Sequence, residues 1–171
     1  MNSTFSTLGG VVLRRDMLID GVVLGRALVG GDDATKQIIS MFKKLDRSDV
    51  NCIMINGLII SLYNVVAGEE ILETTGIPVI GVTYKDSPGI EDRFFDRFAR
   101  SEAIRRVEAY RKLGNRERIT LKTGMAAYIR SWGISSAKSL HILNSFIKQG
   151  KIPEPLRIAR LVSRAARTFP F

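Results

Sequence analysis

The sequence has 171 residues, 45% of them hydrophobic, which is enough to bury a core and excludes a chain that is disordered throughout. Its 26 Lys and Arg residues against 17 Asp and Glu residues give a formal charge of +9, and residues 93–171 alone carry 18 basic and 5 acidic side chains. A half this basic indicates nucleic acid as the first candidate partner and an acidic membrane or an acidic protein as the second, while an ordinary solvated surface is the remaining alternative. The single cysteine, Cys52, excludes an intrachain disulfide and indicates a reducing, cytoplasmic location.

The chain begins with a predicted hairpin followed by an amphipathic helix. β-Rich runs over residues 8–13 and 21–29 are separated by a short polar segment, as in an antiparallel pair of strands. Apolar residues then recur at i, i+3 and i+4 over residues 34–45, which predicts a helix with one face on a core. Asp32 or Asp33 stands at the start of this helix and can cap it.

Two nearly all-apolar runs follow the helix. Residues 51–56 and 77–84 have the composition of strands buried on both faces, and residues 69–75 between them favour a short helix. Strands that alternate with helices in this way predict parallel crossover units in an α/β fold. In the basic half, the pattern predicts a helix over 91–113, strands over 119–121 and 126–132, a helix from Ser135 or Ser136 to 148, and a last helix over 153–167.

No segment has the pattern of a membrane span or a leader. Residues 52–68 form the most apolar stretch, yet Asn56, Ser61 and Asn64 interrupt it. Residues 1–10 lack a basic start followed by an apolar block, so a secretory signal is not expected. The sequence therefore predicts a protein with no membrane partner.

Common catalytic signatures are missing from the sequence, but three segments are candidates for chemistry. The adjacent carboxylates of Asp32 and Asp33 can hold Mg²⁺, or one of them can simply cap the helix. Asn56 ends a buried strand, where α/β sheets bind ligands, although it also starts an ordinary Asn-Gly turn. Glu154 and Arg157 stand near the start of the last helix, either as a site or as a cap with its salt-bridge partner.

The order of these segments resembles the archaeal endonuclease dU family, which is related to endonuclease V. The resemblance rests on the hairpin and on four motifs, of which the last matches the PEP-x-R-x-A helix start shared with endonuclease V: GDDAT at 31–35, IMING at 53–57, IPVIGVTYK at 77–85 and GKIPEPLRIARL at 150–161. It implies one domain over residues 1–171 with a ribonuclease-H-like fold, a mixed sheet flanked by helices. It also implies Mg²⁺-dependent cleavage of a DNA strand near a deaminated base such as deoxyuridine.

The resemblance assigns candidate site residues but also shows departures. Asp32 or Asp33 falls where endonuclease V keeps a glutamate, with Asp33 the candidate metal ligand, and Lys85 falls near that family's active-site lysine. The family's strand-end aspartate is Asn56 here, and a position that is usually His or Asp is Arg160. Because neutral and cationic groups bind a hard cation poorly, we expect weak or lost metal catalysis.

The resemblance also implies that one strand is missing. The family's first strand, which carries its leading aspartate, normally precedes the hairpin, where this sequence has only residues 1–7. Two explanations stay open: the native chain starts earlier than this sequence, or another chain or segment fills the gap. Unpaired strand edges left by such a gap favour association, so dimerisation of the chain or a rearrangement is expected.

Three hypotheses for function stay open at this point. The first is a DNA-binding or RNA-binding member of a DNA-repair nuclease family that cleaves weakly or not at all. The second is an active Mg²⁺-dependent endonuclease on deoxyuridine-containing DNA, and the third is a non-enzymatic interaction protein. In the first two, sequence-independent phosphate contacts are expected from Arg130, Arg157, Arg160 and Arg164.

Overall fold

The computed structural model of the protein describes residues 4–168, and most of its elements follow the predicted order. Strands and helices alternate after an initial hairpin, which confirms the α/β prediction. The elements in chain order are β1 (Phe5–Leu13), β2 (Ile19–Leu28), α1 (Ala34–Leu45), β3 (Ile53–Asn56), β4 (Ile59–Ile60), β5 (Asn64–Val65), α2 (Gly68–Thr75), β6 (Val79–Thr83), α3 (Glu91–Arg97), α4 (Arg100–Lys112), β7 (Glu117–Thr120), β8 (Ala126–Trp132), α5 (Ser136–Ser145) and α6 (Glu154–Thr168).

β1 and β2 form the predicted antiparallel hairpin, in which Val11 lies opposite Val22. One face of the hairpin packs on α1, and the approach is close because Gly25 has no side chain. A Cβ atom at Gly25 would lie 2.6 Å from the Met41 sulfur, so a larger residue there would force the Met41 side chain to move. On the other face, α6 packs against β1.

The second half of the core is a four-stranded mixed sheet in the order β3-β6-β8-β7. β3 and β6 are parallel, while β8 is antiparallel to both β6 and β7. The apolar runs predicted as β3 and β6 are buried on both faces, because α5 and α6 cover one face and α1 and α2 cover the other. This arrangement confirms the mixed sheet flanked by helices.

The hairpin and the four-stranded sheet are separate in the described part of the chain, because no ladder of hydrogen bonds joins β1 or β2 to β3. Packing against α1 and α6 holds the hairpin in place. Arg47 adds a bridge by binding the carboxylates of Asp20 and Asp49, each at 2.6 Å. Within residues 4–168, no strand precedes β1.

The prediction of one long helix over 91–113 is wrong, because α3 and α4 are separated at Phe98 and Ala99. Both residues have extended backbone, with ψ of 155° and 147°. The turn places the Phe98 ring 4.0 Å from the Arg106 guanidinium and edge-on to Tyr63. Burying this ring thus outweighs the continuous helical pattern of the sequence.

The small hairpin of β4 and β5 was not predicted. In its turn, Ser61, Leu62 and Tyr63 have φ of 47°, 60° and 67°. This is the left-handed backbone conformation, which residues other than glycine rarely adopt. Two contacts hold the turn: Ser61 O accepts from Gly30 N at 2.7 Å, and Tyr63 O accepts from Arg106 at 3.0 Å. Tertiary contacts therefore fix this turn against local preference. Among the described helices, none has the length and apolar character needed to cross a membrane.

Candidate nucleic-acid interface

Asp33 lies at the N-cap position of α1, but its side chain does not cap the helix as the sequence suggested. Its carboxylate turns back and accepts hydrogen bonds from Leu28 N at 3.1 and 3.2 Å and from Asn64 Nδ2 at 2.8 Å. The capping role passes to Asn64, whose Oδ1 accepts from Ala34 N at 3.0 Å. Asp33 therefore joins the end of β2 to α1 and β5.

Asp32 is exposed and forms an ion pair with Arg105 on α4, with 3.1 Å between Oδ2 and Nη1. The two adjacent carboxylates thus have different surroundings, since Asp33 serves the fold and Asp32 faces solvent.

Two buried polar residues, Asn64 and Arg106, hold the segments around Asp33 in place. The sequence analysis did not identify either of them. Asn64 is fully buried, and Arg106 is only 5% exposed. The guanidinium of Arg106 donates to the backbone oxygens of Gly30 and Gly31 and to that of Tyr63, at 2.7 to 3.0 Å. No local sequence signal marks such an arginine, because its partners lie on distant segments.

Two predicted site residues, Asn56 and Arg160, line the same cavity. Asn56 ends β3 and is exposed, while Arg160 projects from α6. Asp33 does not line this cavity. The strand-end residue predicted as catalytic therefore lines a cavity that Arg160 also lines, while Asp33, the predicted metal ligand, lies outside the lining.

Lys85 follows β6 in an exposed bend. The bend is held from two sides, since Lys85 O accepts from Arg116 at 3.0 Å and Tyr84 O accepts from Lys151 Nζ at 3.1 Å. The Tyr84 hydroxyl is buried without a hydrogen-bond partner among the described residues, and this burial raises its pKa. The end of β6 is therefore a basic region of the surface.

The donor set does not fit a Mg²⁺ ion. Within residues 4–168, no three His, Cys, Asp or Glu side chains converge closely enough to hold a metal. A hard divalent cation needs several oxygen ligands, carboxylates above all. Asp33 is engaged by Leu28 and Asn64, and Asn56 supplies only a neutral oxygen beside the cavity that Arg160 lines.

α6 carries a row of exposed arginines. Arg157, Arg160, Arg164 and Arg167 follow each other at intervals of three, four and three residues, so they lie on one side of the helix. Arg157 is partly neutralised, because its Nε donates to the buried Glu154 carboxylate at 2.9 Å and this hydrogen bond raises the pKa of Arg157. We call Arg157, Arg160, Arg164 and Arg167 the α6 arginine row.

Arg130 lies apart from the α6 arginine row. It is on β8, where alternate side chains point to opposite faces of the sheet, and its neighbours Ile129 and Ala127 pack in the core under α5 and α6. Arg130 points the other way: its Nε donates to Gly114 O at 2.7 Å, and its guanidinium lies over the Tyr110 ring. The four predicted nucleic-acid contacts therefore fall on two sides of the sheet.

Comparison of the whole sequence with known families and proteins gives consistent matches. The profile of a family described as endonuclease dU matches residues 1–167. A UPF0215 protein of the archaeon Pyrobaculum calidifontis is 36% identical over 165 residues, which cover 96% of this chain and 90% of the relative. A UPF0215 protein of Methanothermobacter thermautotrophicus is 32% identical, with 91% of this chain and 76% of the relative covered.

Solved structures with the same fold include endonuclease V. A protein of unknown function from Archaeoglobus fulgidus superposes with a TM-score of 0.79 at 23% identity, covering 94% of this chain and 89% of that one. Endonuclease V of Ciona intestinalis was solved with a 24mer DNA containing an inosine followed by a ribo-adenosine. It superposes with a TM-score of 0.57 at 16% identity, and the match covers 98% of this chain and 88% of that one. Endonuclease V of Bacillus subtilis superposes with a TM-score of 0.58 at 14% identity, and the match covers 98% of this chain and 82% of that one. The predicted ribonuclease-H-like fold is thereby confirmed.

Proposed function

Because the chain belongs to the endonuclease dU family, we propose that it is a nucleic-acid-binding protein of this nuclease-like family, acting in the cytoplasm on DNA or RNA, with weak or no strand cleavage near deaminated bases. The observation that carries the proposal is the α6 arginine row, which begins at the helix start that first indicated the family. Endonuclease V of Ciona intestinalis, which has the same fold, was solved with DNA bound. We infer that a single domain spans residues 1–171.

The geometry of the α6 arginine row suits a phosphate backbone. Arg157 and Arg167 are ten residues apart, which corresponds to about 15 Å along a helix. Phosphates of one strand of a duplex rise by about 3.4 Å each, so the row matches about four of them. Because Arg157 is already paired with Glu154, the contacts come chiefly from Arg160, Arg164 and Arg167. Such contacts position a nucleic acid without reading its sequence.

Weak cleavage follows from the donor set at the proposed catalytic positions. Asp33 remains the proposed metal contact, yet its carboxylate is shared between Leu28 and Asn64. Asn56 and Arg160 reduce the negative charge available to Mg²⁺ at the strand end. Asp32 and Lys85 are exposed, and we propose that Lys85 contacts phosphate rather than a metal.

The binding proposal is tested by fluorescence anisotropy with a labelled uracil-containing duplex over a series of salt concentrations. The double variant Arg160→Ala/Arg164→Ala should weaken binding because it removes two phosphate contacts. The slope of the logarithm of the binding constant against the logarithm of the salt concentration should then become shallower by about 1.8. The matched control is Lys43→Ala/Lys44→Ala, which removes two exposed cations at the end of α1. Equal affinities and salt slopes for the two double variants would refute the role of the α6 arginine row.

A second assay separates binding from cleavage. The natural chain is incubated with the uracil-containing duplex and either Mg²⁺ or Mn²⁺, and little or no nicking is expected. Efficient nicking that disappears in Asp33→Ala would instead establish the active-enzyme hypothesis. Asn64→Ala is the control, because it disturbs the same junction without removing the carboxylate.

We also propose that the protein forms a homodimer in solution. β2 is an edge strand of the hairpin, and its outward residues Val22 and Leu24 are 53% and 39% exposed. An exposed apolar edge strand promotes association. Sedimentation velocity should give a dimer that Val22→Lys dissociates, and a monomer at all concentrations would contradict the proposal.

A further inference from the structure

The face of the four-stranded sheet that α1 and α2 cover over β3 and β6 is open to solvent over β7 and the start of β8. α2 packs against the end of β8, where Gly68 abuts the Trp132 ring. Further along, Arg118 on β7 is exposed and Tyr128 on β8 is half-buried, whereas the next residue, Ile129, is buried on the other face. β7 and β8 are therefore an antiparallel pair with one face on the core and one in solvent.

The register of the strands places basic and aromatic side chains side by side on this open face. Arg118 lies opposite Tyr128 in the ladder of β7 and β8, and residues directly opposite each other point to the same face. Arg130 is two residues further along β8, so its side chain points to this face too, with its Cα about 7 Å from that of Tyr128. We call this group the β8 platform: Tyr110, Arg116, Arg118, Tyr128 and Arg130.

Arg116 fixes the Tyr128 ring of the β8 platform. Its guanidinium lies 5.0 Å from the ring centre, within the range of a cation–π contact. The same guanidinium donates to Lys85 O at 3.0 Å and to Ser87 O, and it lies 3.5 Å from Asp86 Oδ1. Because these partners hold the guanidinium against the ring, Tyr128 is a preorganised flat surface, and a ligand that stacks on it loses less entropy.

Arg130 forms a second stack of the β8 platform. Its guanidinium lies 5.5 Å from the centre of the Tyr110 ring, and its Nε donates to Gly114 O at 2.7 Å. The two Nη groups have no hydrogen-bond partner within residues 4–168. They can therefore donate to a ligand while the guanidinium plane stays stacked on the ring.

The charge of the β8 platform is positive. Arg118 is exposed and has no ion-pair partner in the part of the chain that the structure describes. Asp86 pairs with Arg116, and Glu117 points to the other face of the sheet, where it accepts from the Ser136 hydroxyl. The open face therefore attracts an anionic ligand.

Flat rings beside cations match a single-stranded nucleic acid. Every base has a π-face that stacks on an aromatic ring or on a guanidinium plane, and unpaired bases can be splayed onto an open sheet. In a duplex these π-faces are stacked within the helix, so a duplex would use the cations alone. An acidic peptide would likewise leave the rings unused.

We propose that the β8 platform is a second nucleic-acid site, which binds unpaired nucleotides. Bases stack on Tyr128 and on the Arg130 guanidinium, and a phosphate contacts Arg118. This inference rests on the proposed function for the class of ligand, but it adds a separate surface. The α6 arginine row lies on the other side of the sheet, so a duplex and a single strand can be bound at the same time.

The test is fluorescence anisotropy of the full chain with a labelled single strand of about ten thymidines, a length within the usual range of such sites. Tyr128→Leu removes the ring, whereas Tyr128→Phe keeps it and serves as the control. We expect Tyr128→Leu to bind the strand about tenfold more weakly than Tyr128→Phe, with circular dichroism confirming that both fold. Equal affinities of the two variants would overturn the stacking role of Tyr128.

An exposed pair of variants tests the phosphate contact without touching the packed rings. Arg118→Ala should make the slope of the logarithm of the single-strand binding constant against the logarithm of the salt concentration shallower by about 0.7. Lys138→Ala is the matched control, because it removes an exposed cation from α5 on the other side of the sheet. Equal slopes for these two variants would overturn the contact.

Competition separates this inference from the proposed function. An unlabelled uracil-containing duplex should not displace the labelled single strand, and Arg160→Ala/Arg164→Ala should not change the affinity for the single strand. If that double variant weakens single-strand and duplex binding alike while Tyr128→Leu weakens neither, both ligands use the α6 arginine row and the second site is refuted. If the double variant leaves duplex binding unchanged while Tyr128→Leu weakens single-strand binding, the proposed role of the α6 arginine row fails and the β8 platform stands.

A polyglutamate peptide of matching length tests the remaining class of partner. We expect it to displace the single strand poorly, because it cannot stack on the rings. If it displaces the strand readily and binds Tyr128→Leu and Tyr128→Phe equally well, the β8 platform is a site for an acidic protein and the proposal is refuted.

Discussion

Arg106 offers the sharpest test of how the candidate region is held together. The substitution Arg106→Met keeps an unbranched side chain of helical propensity but removes the guanidinium. Three backbone oxygens, those of Gly30, Gly31 and Tyr63, then lose their charged donor, and Glu102 loses its ion-pair partner. The left-handed turn that ends at Tyr63 depends on one of these hydrogen bonds.

The expected loss follows from burial. Removing one partner of a buried charged network costs about 3–5 kcal/mol, although Met recovers part of the apolar contact with Phe98. Since about 1 kcal/mol shifts the melting temperature of a chain of this size by 2–4 °C, the variant should melt about 6–20 °C lower. Its neighbour Arg105 is 64% exposed in its pair with Asp32, and Arg105→Ala should cost less than about 1 kcal/mol.

The assay is guanidinium unfolding followed by circular dichroism for the natural chain and both variants, with the slopes compared to verify two-state behaviour. A difference of at least about 2 kcal/mol between Arg106→Met and Arg105→Ala is expected. If the two variants are equally stable, the buried guanidinium does not organise this region and the reasoning fails.

Three further predictions concern single side chains. Asn64→Ala should lower the free energy of unfolding by about 2–4 kcal/mol, because Ala34 N, Asp33 and Leu28 O lose a buried partner, and chemical denaturation would measure it. Burial raises the pKa of Cys52 to about 11, so alkylation near pH 8 should be about 100-fold slower than for a free cysteine, and rapid labelling of the folded protein would contradict this. The hydrogen bond from Arg111 lowers the pKa of Glu91, so its contribution to stability is complete above the ordinary value of 4.5 and is lost as the pH falls through the lowered value. Glu91→Gln should therefore flatten the acid side of the stability profile, and parallel profiles for the two proteins would exclude the ion pair.

The parts of the fold that sequence predicts well are those encoded by local pattern. The hydrophobic pattern of the sequence was enough to predict the hairpin, α1 and the strands β3 and β6. Each of these elements buries the faces on which its own apolar residues lie. The break between α3 and α4 was not visible, since Phe98 turns towards a guanidinium and a tyrosine ring contributed by other segments. Tertiary contacts decided that boundary.

The candidate site shows the same limit. Asp33 stands in the sequence where a helix cap belongs, yet an amide 31 residues later takes the capping role and leaves the carboxylate to bind β2. Arg157 and Arg160 both lie on α6, as the predicted last helix over 153–167 places them. Arg130 was grouped with them by charge alone, and only the pleat of β8 shows that it faces the other way.

The gap in backbone hydrogen bonding between β1 and β3 has a consequence for how the protein opens. Cooperative units in native proteins follow continuous hydrogen-bonded and packed segments. The hairpin shares no ladder with the four-stranded sheet and is held by α1, α6 and Arg47, so it can detach while β6 and β8 keep their pairing. Under native conditions the hairpin amides are accordingly expected to exchange through a local opening of lower free energy than the opening that exposes the amides at the centre of the sheet.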